Sequence, residues 1–471
     1  MPPILLPQRG VWLPADTQTP ISLYLQMVQR RPGILLESSE VDGRLGRFSL
    51  IAWDFRLMAC CQAGRMHLRI QDPRLTSLAP AHGMPFLEGI RFLQDALRLE
   101  PPEEDLPAMT RALLGYFGYS AAGLFEPAVQ GFLPPEEAEA CLVLPGRHIL
   151  VDHLRHRCLA LALDEDPTPP RCSRVFHPEA PSLGPITATP TREEFLRRVV
   201  RTKEAIQDGE AIQVVLSTRF QAPFHGSAFE VYRALRRLNP SPYTFFMALQ
   251  PDFTLLGSSP ELLVRGSAGY LELRPIAGTR PRGATAAEDE ALAQELLADE
   301  KERAEHVMLV DLGRNDLGRI AQGGSVRVDT TMAVERFSHV MHLTSYLSAK
   351  LRPGLDALDI LGAVFPAGTV AGAPKIRAME LIHEAEQLPR GPYAGCIGWM
   401  GLGEERADLD MGITIRSLWI QGGTVTWQAG AGIVFDSNPE NEWQECHNKA
   451  RAILMALCDT GGSDAFAGRQ L

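Results

Sequence analysis

The sequence lacks the features that mark membrane, secreted and nucleic-acid-binding proteins. No apolar stretch in its 471 residues approaches the roughly 20 residues needed to cross a membrane. The opening MPPILLPQRG lacks the charged and apolar regions of a signal peptide. The formal net charge is -11 and there is no run of Lys and Arg, which argues against a nucleic-acid surface because phosphate binding needs clustered cations. We therefore expect a cytoplasmic protein with no membrane or nucleic-acid partner.

Cysteine is also scarce, and its pattern does not suggest redox or zinc chemistry. There are 8 cysteines and no CxxC pair, which is typical of reduced, buried thiols. Cys396 in AGCIGWM loosely resembles a nucleophile elbow, but its apolar, strand-like surroundings disfavour a catalytic role. Asp152, His153, His156 and Cys158 are metal-ligand types, yet the charges between them favour a polar hairpin over a metal site.

The composition that remains is that of a globular protein, with 45% hydrophobic and 22% charged residues. The length predicts two domains, or one large two-layer domain with a smaller partner. Seven prolines lie between Asp164 and Pro190, which is typical of a linker. We predict an N-terminal domain over 1–165, a Pro-rich linker over 166–190, a larger domain over 191–458 and a flexible tail over 459–471.

Hydrophobic periodicity predicts strands in hairpin spacing mixed with long helices, which favours an α+β fold. A capping box at TREE (Thr191 to Glu194) predicts a helix that runs to about Asp208. Further helices are predicted near 86–99, 287–320, 375–386 and 438–457, and strands over 212–220, 253–265, 270–277 and 423–435.

Two predicted helices carry carboxylates that suit a metal. Glu305 precedes an almost unbroken apolar run, which predicts a helix buried on most sides, and a buried carboxylate must be paired or metal-bound. In the last helix, capped by Asn438, the side chains of Glu442, Glu445 and Lys449 share one face. Oxygen ligands without His or Cys fit Mg²⁺. The alternative is that Glu445 and Lys449 form a surface ion pair.

Strand IQVVLSTRF alternates, so that Gln213 lies on one face with Val215 and Ser217. Gln213 is then either an exposed edge residue or a functional polar group. Glycines at 428–432 and in PAGTVAGAPK (366–375) suit close backbone approach to a small ligand. The second segment fails the GxxxxGK[ST] spacing, which disfavours nucleotide binding.

Together these segments resemble the chorismate-binding enzymes, a family that includes anthranilate, aminodeoxychorismate, isochorismate and salicylate synthases. The resemblance covers Thr191 to about Leu457, with motifs in family order: GEAIQVVLSTRF, GSSPELL, RPIAGTRPRG, AEHVMLVDLGRNDLGRI, VMHL, FPAGTVAGAPK, MGITIRS and AGAGIVFDSNPENEWQE. It implies an α+β fold with two layered, mostly antiparallel sheets flanked by helices and a smaller N-terminal regulatory domain.

The resemblance also implies roles for individual residues. Glu305 and Glu445 match Mg²⁺ ligands that would hold the ring carboxylate of chorismate. Glu261 matches the general acid for loss of the ring hydroxyl, and His342, with Thr279 also at the catalytic centre, would aid the later elimination. The positions that match substrate contacts are Gln213, Gly278, Thr279, Thr369, Tyr393, Arg416, Gly430, Ala431, Gly432 and Lys449.

Two positions bear on which branch of the family the chain resembles. Enzymes that add water carry a Lys at the position of Gln213, so its absence favours ammonia as the nucleophile. Aminodeoxychorismate synthases often carry a nucleophilic Lys where this chain has Ala277. Both positions favour ammonia addition next to the ring carboxylate and pyruvate loss to give anthranilate. Aminodeoxychorismate synthesis remains the alternative.

Two segments, one in the predicted N-terminal domain and one in the larger domain, together resemble a feedback site. LLES (35–38) and NPSPYTFF (239–246) are similar to the two halves of a tryptophan pocket, with Thr244 where a Met is common. The residues implied are Glu37, Ser38, Arg47, Pro242, Tyr243 and Thr244. Aminodeoxychorismate synthases can retain such a site, so it does not decide the branch.

Ammonia would come from a separate glutamine amidotransferase subunit, since this chain shows no matching Cys, His and Glu arrangement. We therefore expect a heterodimer or heterotetramer. A non-catalytic tryptophan-binding regulatory protein is disfavoured, because every expected acid, metal and substrate position is filled.

Overall fold

The computed structural model describes residues 2–38, 46–134, 139–168, 178–337, 340–403 and 406–458. In these residues one hydrogen-bonded network of 23 strands is flanked by helices. The pairings in the described segments are antiparallel except that of the first strand with the fifth. The predicted α+β class with mostly antiparallel strands is therefore confirmed. No helix in the described ranges is long and apolar enough to cross a membrane.

The first third of the chain supplies eight strands and three short helices. The strands are β1 (Ile4–Pro14), β2 (Gly33–Glu37), β3 (Phe48–Gln62), β4 (Arg65–Ile70), β5 (Leu97–Glu100), β6 (Ala112–Phe117), β7 (Ala140–Asp152) and β8 (Arg157–Leu163). The helices are α1 (Pro20–Met27), α2 (Phe86–Ala96) and α3 (Ala122–Phe125).

The remainder carries the longer helices and the strands that hold the candidate site. The strands are β9 (Ser182–Leu183), β10 (Thr187–Thr189), β11 (Gln213–His225), β12 (Tyr243–Gln250), β13 (Phe253–Ser259), β14 (Leu262–Ser267), β15 (Tyr270–Leu273), β16 (Ile276–Pro281), β17 (Arg327–Arg336), β18 (Val340–Lys350), β19 (Gly372–Ala373), β20 (Cys396–Gly401), β21 (Leu409–Ile413), β22 (Ser417–Gln421) and β23 (Thr424–Ile433). The helices are α4 (Arg192–Gln207), α5 (Ala228–Leu238), α6 (Ala286–Ala298), α7 (Glu300–Gly318), α8 (Ala357–Val364), α9 (Lys375–Glu386) and α10 (Pro439–Cys458).

Several local predictions hold. The Thr191 hydroxyl accepts from the Glu194 backbone N–H at 3.4 Å and caps α4, which is one of the two hydrogen bonds of the predicted capping box. Asn438 caps α10 by accepting from the backbone N–H of Glu440 at 3.0 Å. The polar hairpin between two apolar strands is confirmed as the β7–β8 turn, where Asp152 pairs with Arg157.

Three predicted elements differ from the structure. The helix predicted over 86–99 ends at Ala96, because Leu97–Glu100 alternates in burial and pairs in parallel with β1. The region 287–320 is two helices rather than one, since the Asp299 carboxylate caps α7 through the N–H groups of Lys301 and Glu302. The expected burial of α7 on most sides is wrong: Val307 is 53% exposed, and the buried residues form one stripe.

The sheet network continues across the predicted domain boundary. Strand β2 pairs with β12, with Glu37 opposite Thr244, and β6 pairs with β20, with Phe117 opposite Cys396. Strands β9 and β10 lie inside the predicted linker and pair with β11. Residues 169–177 of that linker and the predicted tail lie outside the described residues.

The candidate site rests on the β11–β23 pair. Ser217 lies opposite Gly430 and Val215 opposite Gly432, while α10 packs across β23. Phe220 and Trp427 stack with ring centroids 5.5 Å apart under the helix. This apolar layer fixes the glycine-bearing end of β23 relative to the carboxylates of α10.

Candidate active site

Glu261 is a buried carboxyl in the turn between β13 and β14. Its backbone carbonyl accepts from the Ile413 N–H at 3.0 Å, which ties the turn to β21. Burial raises the pKa of Glu261 to about 7, against the opposing effects of the Thr369 hydroxyl and the charge of Lys449. A carboxyl with this pKa can hold a proton near neutral pH and give it to a leaving group.

Thr369 faces Glu261 from the short helical turn Gly368–Val370. Its hydroxyl is buried without a hydrogen-bond partner of regular geometry in the described residues, and it lies close enough to Glu261 to lower the pKa of that carboxyl. A cavity of about 50 Å³ adjoins both side chains. The predicted proximity of the GSSPE and PAGTV motifs is thus present in the structure.

His342 in β18 is held beside the RPIAGTRPRG segment. Its Nδ1 lies 2.9 Å from the Gly278 carbonyl oxygen and 3.1 Å from the Thr279 hydroxyl. Since a carbonyl oxygen can only accept, Nδ1 carries the proton and Nε2 keeps a lone pair. Burial, chiefly, lowers the pKa of His342, and the nearby charge of Arg416 lowers it further. The imidazole is therefore suited to act as a neutral base.

Arg416 links the histidine to the metal-binding candidates. Burial lowers its pKa, whereas Tyr393 and Glu445 are near enough to raise it. In the described residues its guanidinium has no ion pair, so it can receive a carboxylate. Its φ of 50° is left-handed, a conformation that costs about 1–3 kcal/mol outside glycine and is concentrated at functional sites.

Glu305 on α7 and Glu445 on α10 come together as the resemblance implied. Burial raises the pKa of Glu305, and the neighbouring charges of Glu302 and Glu445 raise it further, while Lys449 opposes them. No group of three or more His, Cys, Asp or Glu side chains close enough to hold a metal occurs in the described ranges. Two carboxylates with excess negative charge are nevertheless a donor set that fits Mg²⁺, which completes its shell with water and substrate oxygens.

The ion pair between Glu445 and Lys449, which the sequence offered as the alternative to a metal site, is present in the structure. The Lys449 ammonium pairs with Glu445 Oε1 at 2.6 Å, and both side chains are partly exposed. It also donates to the Gly430 carbonyl oxygen at 3.0 Å. The ion pair therefore faces the glycine segment of β23 and is part of the site.

Gln213 is 4% exposed, so its interpretation as an exposed edge residue is wrong. Its Oε1 is buried with no hydrogen-bond partner in the described residues. A Cβ added at Gly432 would overlap Gln213 Nε2, and one added at Gly430 would lie 2.8 Å from the Tyr393 hydroxyl. Ala431 is fully buried between these two glycines. Because Gly432 and Gly430 have no side chains, there is space beside them for Gln213 and Tyr393.

Sequence reasoning missed two contributors to this site. Glu302, one turn before Glu305, raises the pKa of Glu305 and lies near Gly278. Arg390 is buried and contacts Tyr393 with its charged centre 5.7 Å from the ring centroid. The i, i+3 spacing of the two glutamates was a usable signal for Glu302, whereas nothing local marks Arg390 as buried.

The residues assigned to a tryptophan pocket are only partly brought together. Glu37 accepts from the Tyr232 hydroxyl at 2.5 Å and pairs with Arg236, while the Ser38 hydroxyl is buried without a partner in the described residues. Arg47 pairs with Asp152 at 3.0 Å.

The side chains of Tyr243 and Thr244, in the Pro242–Thr244 segment, point to opposite faces of the sheet, so only one of the two can face the predicted tryptophan pocket. The Thr244 hydroxyl donates to the Ser241 carbonyl oxygen at 3.1 Å. The Tyr243 hydroxyl instead donates to Asp410 at 2.6 Å, and neighbouring residues of a strand point to opposite faces. The tryptophan assignment stays a prediction.

Comparison with known proteins places this site in a family. Residues 62–455 match the family described as chorismate binding enzyme. Anthranilate synthase component 1 of Acinetobacter calcoaceticus is 40% identical over 94% of this chain and 93% of its own. The protein of that name from Methanothermobacter thermautotrophicus is 42% identical over 90% of this chain and 88% of its own.

Solved structures agree with this placement. Anthranilate synthase component I from Streptococcus pneumoniae superposes with a TM-score of 0.73 at 32% identity, covering 94% of this chain and 98% of that one. The menaquinone-specific isochorismate synthase of Escherichia coli has the same TM-score at 22% identity over 97% and 96% of the two chains, which shows a shared fold. The chain belongs to the chorismate-binding enzyme family, among the anthranilate synthase component 1 proteins.

Proposed function

We propose that the protein converts chorismate and ammonia to anthranilate and pyruvate with Mg²⁺ as cofactor. The observation that carries this proposal is the buried Glu261, whose pKa is raised to about 7, in a site with the Glu305–Glu445 pair. An acid, a cation-binding pair and Arg416 are the groups needed to make a ring hydroxyl leave from a substrate with two carboxylates.

Glu305 and Glu445 would hold Mg²⁺, because the neighbouring charges of Glu302 and Glu445 raise the pKa of Glu305 and a bound cation would offset that repulsion. The metal would neutralise the ring carboxylate of chorismate and orient the ring. Arg416 would bind a substrate carboxylate through two N–H groups. Glu261 would then give its proton to the ring hydroxyl, which leaves as water.

Gln213 supports ammonia as the nucleophile. Its buried Oε1 has no partner in the described residues and can accept a hydrogen bond from an N–H group. A glutamine cannot take a proton from water as a lysine can. Ala277 is also buried and supplies no amine. Ammonia would therefore add to the ring carbon next to the carboxylate as the hydroxyl departs.

His342 would act in the second step. With Nδ1 hydrogen-bonded to the Gly278 carbonyl oxygen, its Nε2 lone pair is available to accept the proton from the ring carbon that bears the new amino group. Loss of this proton and of the enolpyruvyl group as pyruvate gives the aromatic product. The lowered pKa of His342 keeps the base in its neutral form.

Two further features belong to this proposal. A glutamine amidotransferase subunit would supply ammonia to the chain, giving a heterodimer or heterotetramer. The relatives are named component 1, which is consistent with a second component. Tryptophan would inhibit the enzyme through the region of Glu37, Ser38 and Arg47, where a buried serine hydroxyl lacks a partner in the described residues. Isothermal titration with tryptophan tests the second point, and absence of binding would contradict it.

The product assay tests the proposal itself. Purified protein is incubated with chorismate, Mg²⁺ and ammonium at alkaline pH, and anthranilate is followed by its fluorescence. Fluorescent anthranilate is the expected result. If aminodeoxychorismate alone accumulates, detected as p-aminobenzoate after a lyase is added, the aminodeoxychorismate alternative replaces our proposal.

A further inference from the structure

Arg390 is a buried cation at the centre of the molecule. Its side chain is 1% exposed, three residues before Tyr393. Nε and Nη2 donate to the two carboxylate oxygens of Glu386 at 2.8 and 2.7 Å. Nη1 donates to the Val370 carbonyl oxygen, and Nη2 also donates to the Val215 carbonyl oxygen, both at 2.7 Å. Burying a charge costs free energy that its hydrogen bonds must offset. The groups that accept from Arg390 therefore help to show what this side chain does.

The two backbone acceptors lie close in sequence to residues that the proposed function places at the substrate. Val370 follows Thr369, which faces Glu261. Val215 lies two residues after Gln213 and opposite Gly432. The guanidinium also lies over the ring of Tyr393. One buried side chain therefore contacts three segments that carry proposed site residues.

Glu386 extends the same network to β23. Its Oε1 accepts from the backbone N–H of Ser217 at 2.8 Å and from the Ser217 hydroxyl at 2.7 Å. The Ser217 hydroxyl in turn accepts from Gln428 Nε2 at 2.7 Å. Gln428 lies two residues before Gly430, whose carbonyl oxygen receives Lys449. The chain of hydrogen bonds thus connects Arg390 with the glycine segment.

We propose that Arg390 is a positioning residue that sets the distance of Thr369, Gln213 and Tyr393 from the substrate, with Glu386 and Ser217 as its relay to β23. The inference rests on the proposed function, because it assigns Arg390 to that same site. It needs the planar guanidinium fork: a lysine ammonium carries the charge but cannot bind both Glu386 oxygens and two carbonyl groups at once.

The test compares Arg390→Lys with Arg377→Lys. Arg377 lies on α9 and pairs with Glu380 at 2.6 Å on the surface, so R377K is a matched control that keeps activity. In R390K we expect kcat to fall about 10- to 100-fold, since small misplacement of reacting groups has effects of this size. KM for chorismate should rise as well, because Tyr393 and Gln213 are displaced.

The pH profile separates positioning from general damage. The Thr369 hydroxyl lowers the pKa of Glu261, so loosening Thr369 should move the falling limb of activity to higher pH. The charged groups that face Glu261 are Lys449 and, across the adjoining cavity, Arg274 and Asp316, and none of them is altered in R390K. A merely structural role would reduce the amount of active enzyme without changing KM or the position of this limb.

The proposal would be overturned if R390K had wild-type kcat, KM and pH profile. It would also be overturned if the activity lost in R390K were fully explained by a smaller folded fraction, measured by thermal unfolding. If R390K does not fold, Ser217→Ala decides, because it removes the hydroxyl that joins Glu386 to Gln428 and keeps the bond from the Ser217 backbone N–H to Glu386. We expect S217A to raise KM several-fold, and an unchanged KM contradicts the relay. Both chorismate consumption and anthranilate formation are measured. If the wild-type enzyme consumes chorismate but forms another product, the proposed function is refuted. The role of Arg390 is then still tested by comparing the rates of chorismate consumption in the variants.

Discussion

Glu261 would supply the proton on which the first step of the proposed reaction depends. Its pKa, raised from 4.5 to about 7 by burial, leaves the carboxyl protonated below neutral pH and ionised above it. As a general acid it must be protonated, so kcat/KM should fall as the pH rises through about 7. His342, whose pKa is lowered from 6.5, should limit activity only on the acid side. A profile measured at constant free ammonia should therefore be bell-shaped, and a flat profile would contradict this assignment.

Glu261→Gln should lower kcat by about 10²- to 10⁴-fold, the usual contribution of a general acid. The same change should stabilise the folded protein. Because the folded-state pKa is raised, wild-type stability declines between pH 4.5 and about 7, by up to roughly 3 kcal/mol. Thermal unfolding at pH 8 measures this effect. A variant that is less stable and equally active would show that Glu261 has a structural role.

Gly432 offers a separate test at the residue scale. An added Cβ would overlap the Gln213 amide, so Gly432→Ala should displace Gln213 and reduce ammonia-dependent turnover at least tenfold. Gly318→Ala is the control, because a Cβ there meets nothing within 4 Å and its φ is not left-handed. Steady-state kinetics with ammonium as the varied substrate gives the answer, and equal KM values for ammonium in the two variants would refute the role of Gln213.

At the scale of elements, the site depends on two helices, α7 and α10, whose carboxylates Glu305 and Glu445 are close enough to influence each other's charge. Asp299 starts α7 so that Glu302 and Glu305 lie on its first turns, and Asn438 starts α10 so that Glu442 and Glu445 lie on its first turns. Glu302 and Glu442 lie in the first turns, where the positive end of the helix dipole favours negative charge, and Glu305 and Glu445 follow three residues later. The capping residues set where each helix begins, and thereby on which turn of the helix each candidate metal ligand lies.

Mg²⁺ binding should depend on both helices. Mg²⁺ alone should raise the thermal unfolding midpoint of wild-type protein, since a ligand at 100 times its Kd stabilises by about 2.7 kcal/mol. Glu445→Gln should abolish this shift, because it removes one of two ligands. Glu440→Gln, on the same helix but paired with Arg192 at the surface, should keep it. A full magnesium shift in E445Q would remove Glu445 from the metal site.

Local sequence signals predicted these elements well where the cause is local. The cap at Thr191 and the cap at Asn438 involve residues two to three positions apart, so they could be seen in the sequence. The parallel pairing of Leu97–Glu100 with β1 and the left-handed φ of Arg416 depend on contacts distant in the chain. The burial of Gln213 depends in the same way on Gly432 across the sheet, which periodicity within one strand cannot reveal.

At the scale of the whole molecule, the continuous strand network joins the two halves that the sequence separated. Strands β2 and β12 bring Glu37 opposite Thr244, while β12 also pairs with β13, the strand that leads into Glu261. A ligand bound beside Glu37 would thus contact a sheet that continues directly to the acid. This connection gives a physical route by which occupancy of the N-terminal half could alter catalysis.

The central claim is that this site adds ammonia, rather than water, to chorismate. The most direct test gives wild-type protein chorismate, Mg²⁺ and ¹⁵N-labelled ammonium and identifies the products by mass spectrometry. We predict anthranilate that carries one ¹⁵N, with one pyruvate released for each anthranilate formed and no product without Mg²⁺. Isochorismate or salicylate without label, or aminodeoxychorismate without pyruvate, would contradict the account.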